Sequence, residues 1–490
     1  MESYLLYSLS QTEKLEKQDL YIKNSEDGRR SLDFFTYFNS FSISAWKQYT
    51  ILEQVTLRLR LRGHFHITYF VYTSQGKAVL LNELITGGTY EHTFSLDRLP
   101  DGILGFTLSG DDEKSQYLDG GWYGQFAQWQ EKRIGVGICT YKRESYVLRT
   151  RQILEQFQKN HPWLEILIVD NGSTLPEEKK QGLQVMHNPN FGGSGGFTRA
   201  LLEYVARNTV DSILLMDDDI VLEPSVLERT YSLLCGLKKE YEDSFLSGAM
   251  LTLEHPCIQY ENTAYWGKIR LHSLGKNLDL SQADSLFANE KIHLRQNQYG
   301  AWWYCCIPLH RVKEIGYPLP VFLKGDDMEY GIRNNRPLLH MNGIGVWHQS
   351  FAAKQNPVVN YYSDRNMLMM NHFAKGCNGL TFCLAVLGRT VKRAIKGDGK
   401  GLMILGYALE DHYRGLSCLT ACGSDEKMKE IQGKAQSNHS WKDIQRLLRY
   451  GAENLLQYEK VHDGYLTFRR EKLQSTQFWR QFLAKGRSHE

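Results

Sequence analysis

The segment SILLMDDD, residues 212–219, decides the fold, because its apolar strand ends in three consecutive carboxylates, Asp217, Asp218 and Asp219. Open α/β sheets bind ligands at the carboxyl ends of their strands. Adjacent acids repel one another unless a cation lies between them, and Mg²⁺ or Mn²⁺ held by carboxylates usually shares its other positions with substrate phosphates. The segment predicts a metal-assisted site for a nucleotide-activated donor; an acidic turn that caps the next helix is the alternative.

Alternating strand and helix patterns precede this segment. A strand pattern over residues 133–140 leads through a polar turn into a helical pattern, and a second strand, residues 164–169, ends in Asp170. A third strand, residues 183–186, is followed by the glycine-rich residues 188–197. The alternation predicts a parallel sheet with acceptor groups at its strand ends. The glycines permit backbone N–H groups to approach a phosphate at a helix start, although the spacing fits neither the dinucleotide fingerprint nor a Walker A loop, and a surface turn is the alternative.

Three motifs follow the acid triplet. Asp326 and Asp327 start a predicted helix, where the backbone dipole keeps carboxylates ionised and fit to act as a general base; helix capping is the alternative. Trp302 and Trp303 form a pair of a kind that usually fills a core, but its place between the acid motifs favours a sugar-stacking platform. His348 ends a short strand, and its imidazole is either structural or a metal ligand.

The order of these motifs resembles the GT-A glycosyltransferases of family 2, and among them the galactofuranosyltransferases that build bacterial galactan. The resemblance covers residues 133–370. Its most specific parts are residues 190–199, 217–219, 302–303, 326–327 and 346–348. It implies an inverting, metal-dependent transfer of galactofuranose from UDP-galactofuranose to a hydroxyl of a lipid-linked cell-surface glycan, with Mn²⁺ or Mg²⁺ as the cofactor.

The resemblance also implies a role for each site residue. It assigns Asp219, His348 and Asp217 to the metal, and Asp327 to the catalytic base with Asp326 beside it. Donor-binding positions are Thr140, Arg143, Asp170, Asn190, Gly192, Gly193, Asp217 and Asp218, and acceptor-binding positions are Trp302 and Trp303. Lys324-Gly325 stands before the acid pair where the galactan polymerases carry a bulkier aromatic residue, which leaves the acceptor sugar open.

The chain is longer than this catalytic region. Its 490 residues, 42% hydrophobic and 23% charged, are enough for two or three cores. Apolar and basic residues alternate over residues 54–62 and turn signals follow, which predicts a β-sandwich over residues 1–130, in agreement with the family's carbohydrate-module-like domain. We expect an α/β, Rossmann-like GT-A domain over residues 131–372 and a helical region over residues 373–490.

Two apolar segments of the helical region are accompanied by basic residues. The first is residues 380–387 with Arg389, Lys392, Arg393 and Lys396 after it, and the second is residues 478–487. Both are shorter than the roughly 20 apolar residues that cross a bilayer. Each predicts either contact with an anionic membrane surface or packing as a bundle helix. We expect peripheral attachment at the inner face of the cell membrane.

Composition limits the remaining function classes. Nine cysteines without paired spacing, and no amino-terminal secretory pattern, favour a cytoplasmic protein. The net charge of +3 gives no reason to expect nucleic acid as a partner, and a homo-oligomer is compatible with the sequence. Two other functions stay open: a transferase for another nucleotide sugar, such as dTDP-rhamnose, and a non-catalytic glycan-binding protein on a degenerate GT-A scaffold. The complete set of acids argues against the second.

Overall fold

The computed structural model describes residues 2–24, 31–111, 114–291, 295–350, 356–415, 418–419, 425–436 and 441–484. Along these residues a region of strands is followed by an α/β region and then by helices. The expected arrangement, an α/β domain with β-structure before it and helices after it, is confirmed. The expected boundaries, 130/131 and 372/373, stay a prediction.

The amino-terminal region is an antiparallel sheet of eight strands. These strands are β1 (Tyr4–Ser8), β2 (Lys23–Asn24), β3 (Ser31–Asp33), β4 (Phe41–Ser42), β5 (Leu52–Thr73), β6 (Gly76–Ser95), β7 (Ile103–Gly110) and β8 (Gln116–Phe126). Their order is β1-β8-β5-β7-β3-β2, with β4 beside β7 and β6 beside β5.

Strand β5 changes its pairing partner along its length. Residues 52–62 pair with β8 and residues 65–72 pair with β7, while β6 follows the other edge. Gly63 lies at the change of partner with a φ of +88°. Phe106 of β7 and Trp122 of β8 then pack together in the core, with ring centroids 6.0 Å apart. The region predicted as a β-sandwich is thus one eight-stranded sheet in the described residues.

The rest of the described chain contains fifteen strands and, with α1 of the amino-terminal region, thirteen α-helices. The strands are β9 (Ile134–Thr140), β10 (Leu164–Asp170), β11 (Glu178–Lys180), β12 (Leu183–His187), β13 (Ser212–Asp217), β14 (Phe245–Ser247), β15 (Ala249–Thr252), β16 (Ile258–Glu261), β17 (Thr263–Trp266), β18 (Leu271–Leu274), β19 (Leu278–Asp279), β20 (Gln298–Tyr299), β21 (Cys305–Pro308), β22 (Leu338–Leu339) and β23 (Gly345–His348). The helices are α1 (Ile43–Tyr49), α2 (Glu144–Gln158), α3 (Gly192–Arg207), α4 (Ser225–Cys235), α5 (Ala283–Glu290), α6 (Leu309–Ile315), α7 (Asp326–Asn334), α8 (Pro357–Phe373), α9 (Gly379–Ile395), α10 (Gly399–Arg414), α11 (Asp425–Gln436), α12 (Trp441–Lys472) and α13 (Thr476–Ala484).

The α/β region is built on an eight-stranded sheet with the order β11-β12-β10-β9-β13-β21-β14-β22. The four strands β12, β10, β9 and β13 are parallel to one another, as the alternation of strands and helices predicts, and the flanking strands β11 and β21 are antiparallel to them. The register pairs Thr140 with Asp170 and Cys139 with Asp217. The strand-end acceptors of the sequence therefore meet at one edge of the sheet.

Buried polar contacts join the amino-terminal sheet to the α/β region. Arg229 of α4 is fully buried and donates to the carbonyl oxygens of Phe38 (2.6 Å) and Gly343 (2.5 Å). Its guanidinium also lies 3.5 Å from the ring centroid of Tyr7. Glu223 accepts hydrogen bonds from Ser10 and Tyr21 across the same boundary.

The two basic amphipathic segments have different environments. In α13, Trp479 and Phe482 are buried, and the ring of Phe482 lies 4.6 Å from that of Phe191. The packing alternative therefore holds for that helix, whose following residues 485–490 lie outside the described part. Helix α9 leaves one apolar face exposed. Within the described ranges, no helix is both long and apolar enough to cross a membrane.

Candidate functional site

The acid triplet at the end of β13 is neutralised partly by the protein itself. Asp218 accepts hydrogen bonds from the hydroxyl of Thr140 (2.7 Å) and from Arg143 (3.1 Å). The same guanidinium nitrogen lies 2.7 Å from Asp219. Burial raises the pKa of Asp218 to about 6, while Thr140 and Arg143 act in the opposite direction. The sequence argument assigned all the repulsion to a metal, but an arginine relieves part of it.

This geometry changes what can be expected of Asp218. Its carboxylate faces the end of β9 and is only 5% exposed, whereas the side chain of Asp217 is 36% exposed. Asp217 and Asp219 are the members of the triplet that face a common point. The donor-binding roles of Thr140, Arg143 and Asp218 stay predictions, since these three groups already bind one another.

A backbone bridge brings His348 to the acid triplet. Val221, just beyond β13, and Trp347 of β23 exchange two hydrogen bonds of 2.8 and 3.1 Å. His348 follows Trp347, and its Nε2 lies 3.1 Å from Asp219 and 3.8 Å from Asp217. One potential ligand atom from each of the three residues lies within 4.8 Å of the others, so Asp217, Asp219 and His348 form a group that could hold a metal ion.

The chemistry of this donor set fits a cation. The Nδ1 of His348 lies 2.6 Å from the carbonyl oxygen of Gln349 and can only donate to it. In the neutral ring the other nitrogen, Nε2, then carries its lone pair toward two carboxylates. Three electron-pair donors that converge in this way are stable only around a proton or a metal ion, and imidazole with carboxylates suits Mn²⁺.

Asp170 holds the turn after β10. Its buried carboxylate accepts from the backbone N–H groups of Gly172 (2.8 Å), Thr174 (2.7 Å) and Leu175 (2.7 Å). Both oxygens are therefore used within the fold. The expected contact of Asp170 with the nucleotide base stays a prediction, and the turn that it shapes lies beside the end of β9.

The glycine-rich segment begins α3, and its glycines are required by packing within the protein. A Cβ atom at Gly192 would collide with the carbonyl oxygen of Phe322, and one at Gly196 would collide with Cys139. Gly192 also has a φ of +68°, and its carbonyl accepts from Asn171. Gly193 is more open, with only the ring of Phe197 near its Cβ position.

These contacts leave fewer backbone N–H groups at the start of α3 for a phosphate than the sequence suggested. Asn190 accepts from the N–H of Gly192 (3.1 Å), and the N–H of Ser194 points to Phe322 (3.3 Å). Two of the first backbone donors of α3 are thus used internally. Donor binding by Asn190, Gly192 and Gly193 stays a prediction.

The tryptophan pair is largely buried, with exposures of 4% for Trp302 and 5% for Trp303. Trp303 donates from its indole to the carbonyl oxygen of Gly248 (2.8 Å). Trp302 packs edge-on against Phe197 and Tyr330, with ring centroids 5.3 and 6.0 Å apart. Packing accounts for most of their surface, so the acceptor role stays a prediction.

Asp326 and Asp327 begin α7, as the sequence predicts, and their burial affects their pKa values in a way that the sequence does not indicate. Burial raises the pKa of both carboxyls, more for Asp326, and the neighbouring charge raises that of Asp326 further. Backbone N–H groups at the helix start lower both pKa values by less. Desolvation therefore acts against the helix dipole, and the ionised state expected of the pair stays a prediction. Such a pair readily retains one proton between its members.

A constrained loop leads into the acid pair. Phe322, Lys324 and Gly325 have φ values of +70°, +63° and +94°, a left-handed conformation that is unfavourable for the first two. Asn366 of α8 donates to the carbonyl oxygens of residues 321, 323 and 324 at 3.2, 2.7 and 2.6 Å. The buried Arg365 donates to the carbonyl of residue 321 at 2.9 Å. Helix α8 thus fixes where α7 begins.

Sequence reasoning missed several residues around this pair. The ammonium of Lys324 lowers the pKa of Asp327, and the pKa of the buried Glu261 is raised mainly by its burial, with a smaller contribution from the charge of Asp327. Lys276 also faces Glu261. Asn366 and Glu261 lie in a helix and a strand without any motif, so no sequence signal could have found them. In the sequence, Lys324 stands out only as a departure from the family that the chain resembles.

Comparison with known proteins matches both regions of the chain. Residues 4–125 match the family described as galactofuranosyltransferase 2 N-terminal, and residues 135–277 match glycosyl transferase family 2. Galactofuranosyltransferase GlfT2 of Mycolicibacterium smegmatis is 25% identical over 431 residues, 78% of this chain and 64% of that protein. GlfT2 of Mycobacterium tuberculosis is 25% identical over 383 residues, 69% of this chain and 58% of that protein. The chain thus spans less than two thirds of these relatives, and the resemblance expected from the motifs is confirmed.

Two solved structures of transferases superpose partly on the chain. The mannosyltransferase PcManGT from Pyrobaculum calidifontis, in complex with GDP-Man and Mn²⁺, is 10% identical with a TM-score of 0.34, over 67% of this chain and 88% of that one. S. aureus TarS 1–349, in complex with UDP-GlcNAc, is 13% identical with a TM-score of 0.37, over 68% and 92%. Likenesses at this level assign neither a donor nor a metal to this chain.

Proposed function

We propose that this chain, which joins a family 2 glycosyltransferase domain to a galactofuranosyltransferase-type amino-terminal region, transfers galactofuranose from UDP-galactofuranose to a hydroxyl of a cell-surface glycan, with inversion at the anomeric carbon. The observation that carries the proposal is the convergence of Asp217, Asp219 and His348 at the end of β13. The charge of Asp217 raises the pKa values of both Asp326 and Asp327, which supports the proximity of the two groups of acids that the proposal requires.

Asp217, Asp219 and His348 would hold Mn²⁺ or Mg²⁺, which supplies positive charge to the departing diphosphate. The contact of His348 with Gln349 fixes the ring so that Nε2 faces the acids. Arg143 forms ion pairs with both Asp218 and Asp219, and His348 lies beside Asp219. The carboxylate of Asp219 is therefore oriented by Arg143 and by His348.

Asp327 takes the proton from the acceptor hydroxyl as the sugar is transferred. Its raised pKa makes it a stronger base than an exposed aspartate, and Lys324 keeps its ionised form accessible near neutral pH. Asp326, whose pKa is raised more, holds the shared proton and can donate a hydrogen bond to an acceptor hydroxyl. These two roles explain why the pair is buried.

The acceptor, on this proposal, is a lipid-linked glycan met at the inner face of the cell membrane by a peripherally attached enzyme. The exposed apolar face of α9 supports this location. The acceptor sugar, the linkage and a homo-oligomeric state stay predictions.

Metal-dependent nucleotide binding tests the donor half of the proposal. We expect UDP to bind measurably by isothermal titration only when Mn²⁺ or Mg²⁺ is present. Asp219→Ala and His348→Ala should each weaken metal affinity by at least about tenfold, as losses of metal ligands or their supports do. Asp284→Ala, on the surface of α5, serves as the control. Mn²⁺ titration curves that do not change in the two ligand variants would contradict the assignment.

The sugar is tested by a donor screen with a synthetic lipid-linked acceptor and mass spectrometry of the product. We expect transfer from UDP-galactofuranose and little from UDP-galactopyranose or dTDP-rhamnose. Transfer from dTDP-rhamnose alone would favour the other nucleotide sugar. Absence of nucleotide binding would favour a glycan-binding protein.

A further inference from the structure

A buried lysine of the amino-terminal region contacts the strand that carries His348. Lys17 lies in a short 3₁₀ helix, Leu15–Leu20, and is only 6% exposed. Its ammonium nitrogen lies 3.5 Å from the ring centroid of Trp347, the residue before His348. Within the described ranges this ammonium makes no hydrogen bond or ion pair. A buried lysine needs a partner, and the face of a tryptophan ring attracts a desolvated cation strongly.

The ring of Trp347 is enclosed by contacts, three of which come from the amino-terminal region. Besides Lys17, these are Phe38, with ring centroids 5.4 Å apart, and Tyr21, whose ring lies nearly parallel at 6.4 Å. The indole N–H donates to the carbonyl oxygen of Pro256 at 2.9 Å. The ring is therefore fixed both within its plane and across its face.

The position of Trp347 sets the position of two potential metal ligands. Successive side chains of a strand point to opposite faces, so the indole of Trp347 lies on one face of β23 and the imidazole of His348 on the other. The backbone of Trp347 is also bonded to Val221, two residues beyond Asp219, at 2.8 and 3.1 Å. A displacement of Trp347 would move His348 relative to Asp219, whose carboxylate lies 3.1 Å from its Nε2.

The amino-terminal region supports the other strand of this bridge as well. Glu223, two residues beyond Val221, accepts hydrogen bonds from Ser10 (3.0 Å) and Tyr21 (2.9 Å). Tyr21 thus contacts Glu223 through its hydroxyl and Trp347 through its ring. Both sides of the backbone bridge are held by the same short part of the chain.

We propose that Lys17 is a positioning residue for the metal site: by holding the ring of Trp347, it keeps His348 at the distance from Asp219 that a divalent ion requires. Residues that orient metal ligands from behind are needed for full affinity, and their loss costs about tenfold or more. The inference rests on the proposed function, because the ion concerned is the one that Asp217, Asp219 and His348 would hold.

Two other roles for Lys17 predict different results. If only its charge mattered, removal of a cation near the site would strengthen the binding of a metal ion. If Lys17 only joined the two regions, its loss would lower thermal stability and leave the metal affinity of the folded protein unchanged. Positioning predicts weaker metal binding by folded protein.

Isothermal titration of the full chain with Mn²⁺ in the presence of UDP tests the proposal, at temperatures below the unfolding transition of each variant. Lys17→Met keeps the apolar stem but removes the charge, and we expect a loss of at least about tenfold in Mn²⁺ affinity. Lys17→Arg keeps a cation over the ring and should recover most of it. Lys14→Met is the control, since it makes the same charge change at an exposed position of the same segment.

Hydrogen exchange of the unchanged protein gives a second measurement that does not need a folded variant. Coupling between two sites is reciprocal, so Mn²⁺ with UDP should slow amide exchange in residues 15–21. Absence of any slowing would overturn the inference.

The titrations can overturn it in three further ways: Mn²⁺ affinity that is unchanged or higher in Lys17→Met, a Lys17→Arg variant as weak as Lys17→Met, or an equal loss in Lys14→Met. If the unchanged protein bound no Mn²⁺, the proposed function and this inference would both fail. Normal binding by the unchanged protein together with any of the three results would overturn the inference alone.

Discussion

At the scale of single residues, Asp327 is the group on which turnover should depend most. Asp327→Asn keeps the size and hydrogen-bonding reach of the side chain but removes its basicity, so we expect UDP binding to persist while turnover falls at least about a hundredfold. Asp101→Asn, an exposed position of the amino-terminal region, is the control. Activity that survives in Asp327→Asn would remove this residue from the mechanism.

The pH dependence follows from the same residue. A general base must be ionised, and burial raises the pKa of Asp327 above the ordinary value for aspartate. Turnover should therefore fall as the pH drops through this raised pKa, at a pH above about 4. An acid limb of the pH–rate profile at or below the ordinary aspartate value would contradict the buried environment.

The sequence predicts the acidic residues of the candidate site better than it predicts their pairing and protonation. Asp217, Asp219, Asp326 and Asp327 could be chosen because acids at strand and helix ends are visible as patterns. The pairing of Arg143 with Asp218 could not, since it depends on which side chains of two strand ends face each other. The raised pKa values depend on burial, which a local pattern does not contain.

At the scale of elements, the start of α7 is set by α8. Asn366 donates to three carbonyl oxygens of a loop in left-handed conformation, and the loop ends at the acid pair Asp326 and Asp327. Asn366→Asp cannot make the same donations and should shift the pair. We expect kcat to fall by on the order of a hundredfold, the usual effect of a displacement near 1 Å, with UDP and metal affinity nearly unchanged.

Asn360→Asp is a matched control for this variant, because it makes the same change on the same helix at a partly exposed position. A loss of thermal stability without a change in kcat would reduce Asn366 to a structural residue. Recovery of kcat in Asn366→Gln, which keeps the amide donor, would support its positioning role.

Elements also show where local patterns stop being informative. The alternation in residues 54–62 predicts a strand, but the change of partner at Gly63 is a property of three strands together. The compositions of α9 and α13 predict amphipathic helices for both. Only the tertiary contacts of Trp479 and Phe482 separate the packed helix from the exposed one.

At the scale of the whole molecule, buried histidines link the stability of the helical region to pH. His372 lies 3.1 Å from His412 and 3.2 Å from His462, nitrogen to nitrogen, and Tyr465 packs against the first two rings. Burial lowers the pKa of His412 to about 3 and that of His372 well below its ordinary value, and the nearby Arg365 lowers that of His412 further. The folded protein therefore disfavours the charged forms of His372 and His412.

The unfolded chain binds protons at these histidines below about pH 6.5, whereas the folded chain does not, so the free energy of unfolding falls as the pH drops. We expect His412→Phe to show a shallower loss between pH 7 and pH 5, by up to about 1.4 kcal/mol per pH unit. Urea denaturation at each pH measures it. His66→Gln, at an exposed histidine, is the control; equal slopes for the protein and His412→Phe would contradict the prediction.

The bridge between Val221 and Trp347 has a thermodynamic consequence. It brings together potential metal ligands from the end of β13 and from β23, which belong to different sheets and lie more than a hundred residues apart in the chain. An ion held by Asp219 and His348 would link these two sheets. The free energy of metal binding would then add to the free energy of unfolding, so the protein with bound metal would be more stable than the protein without it.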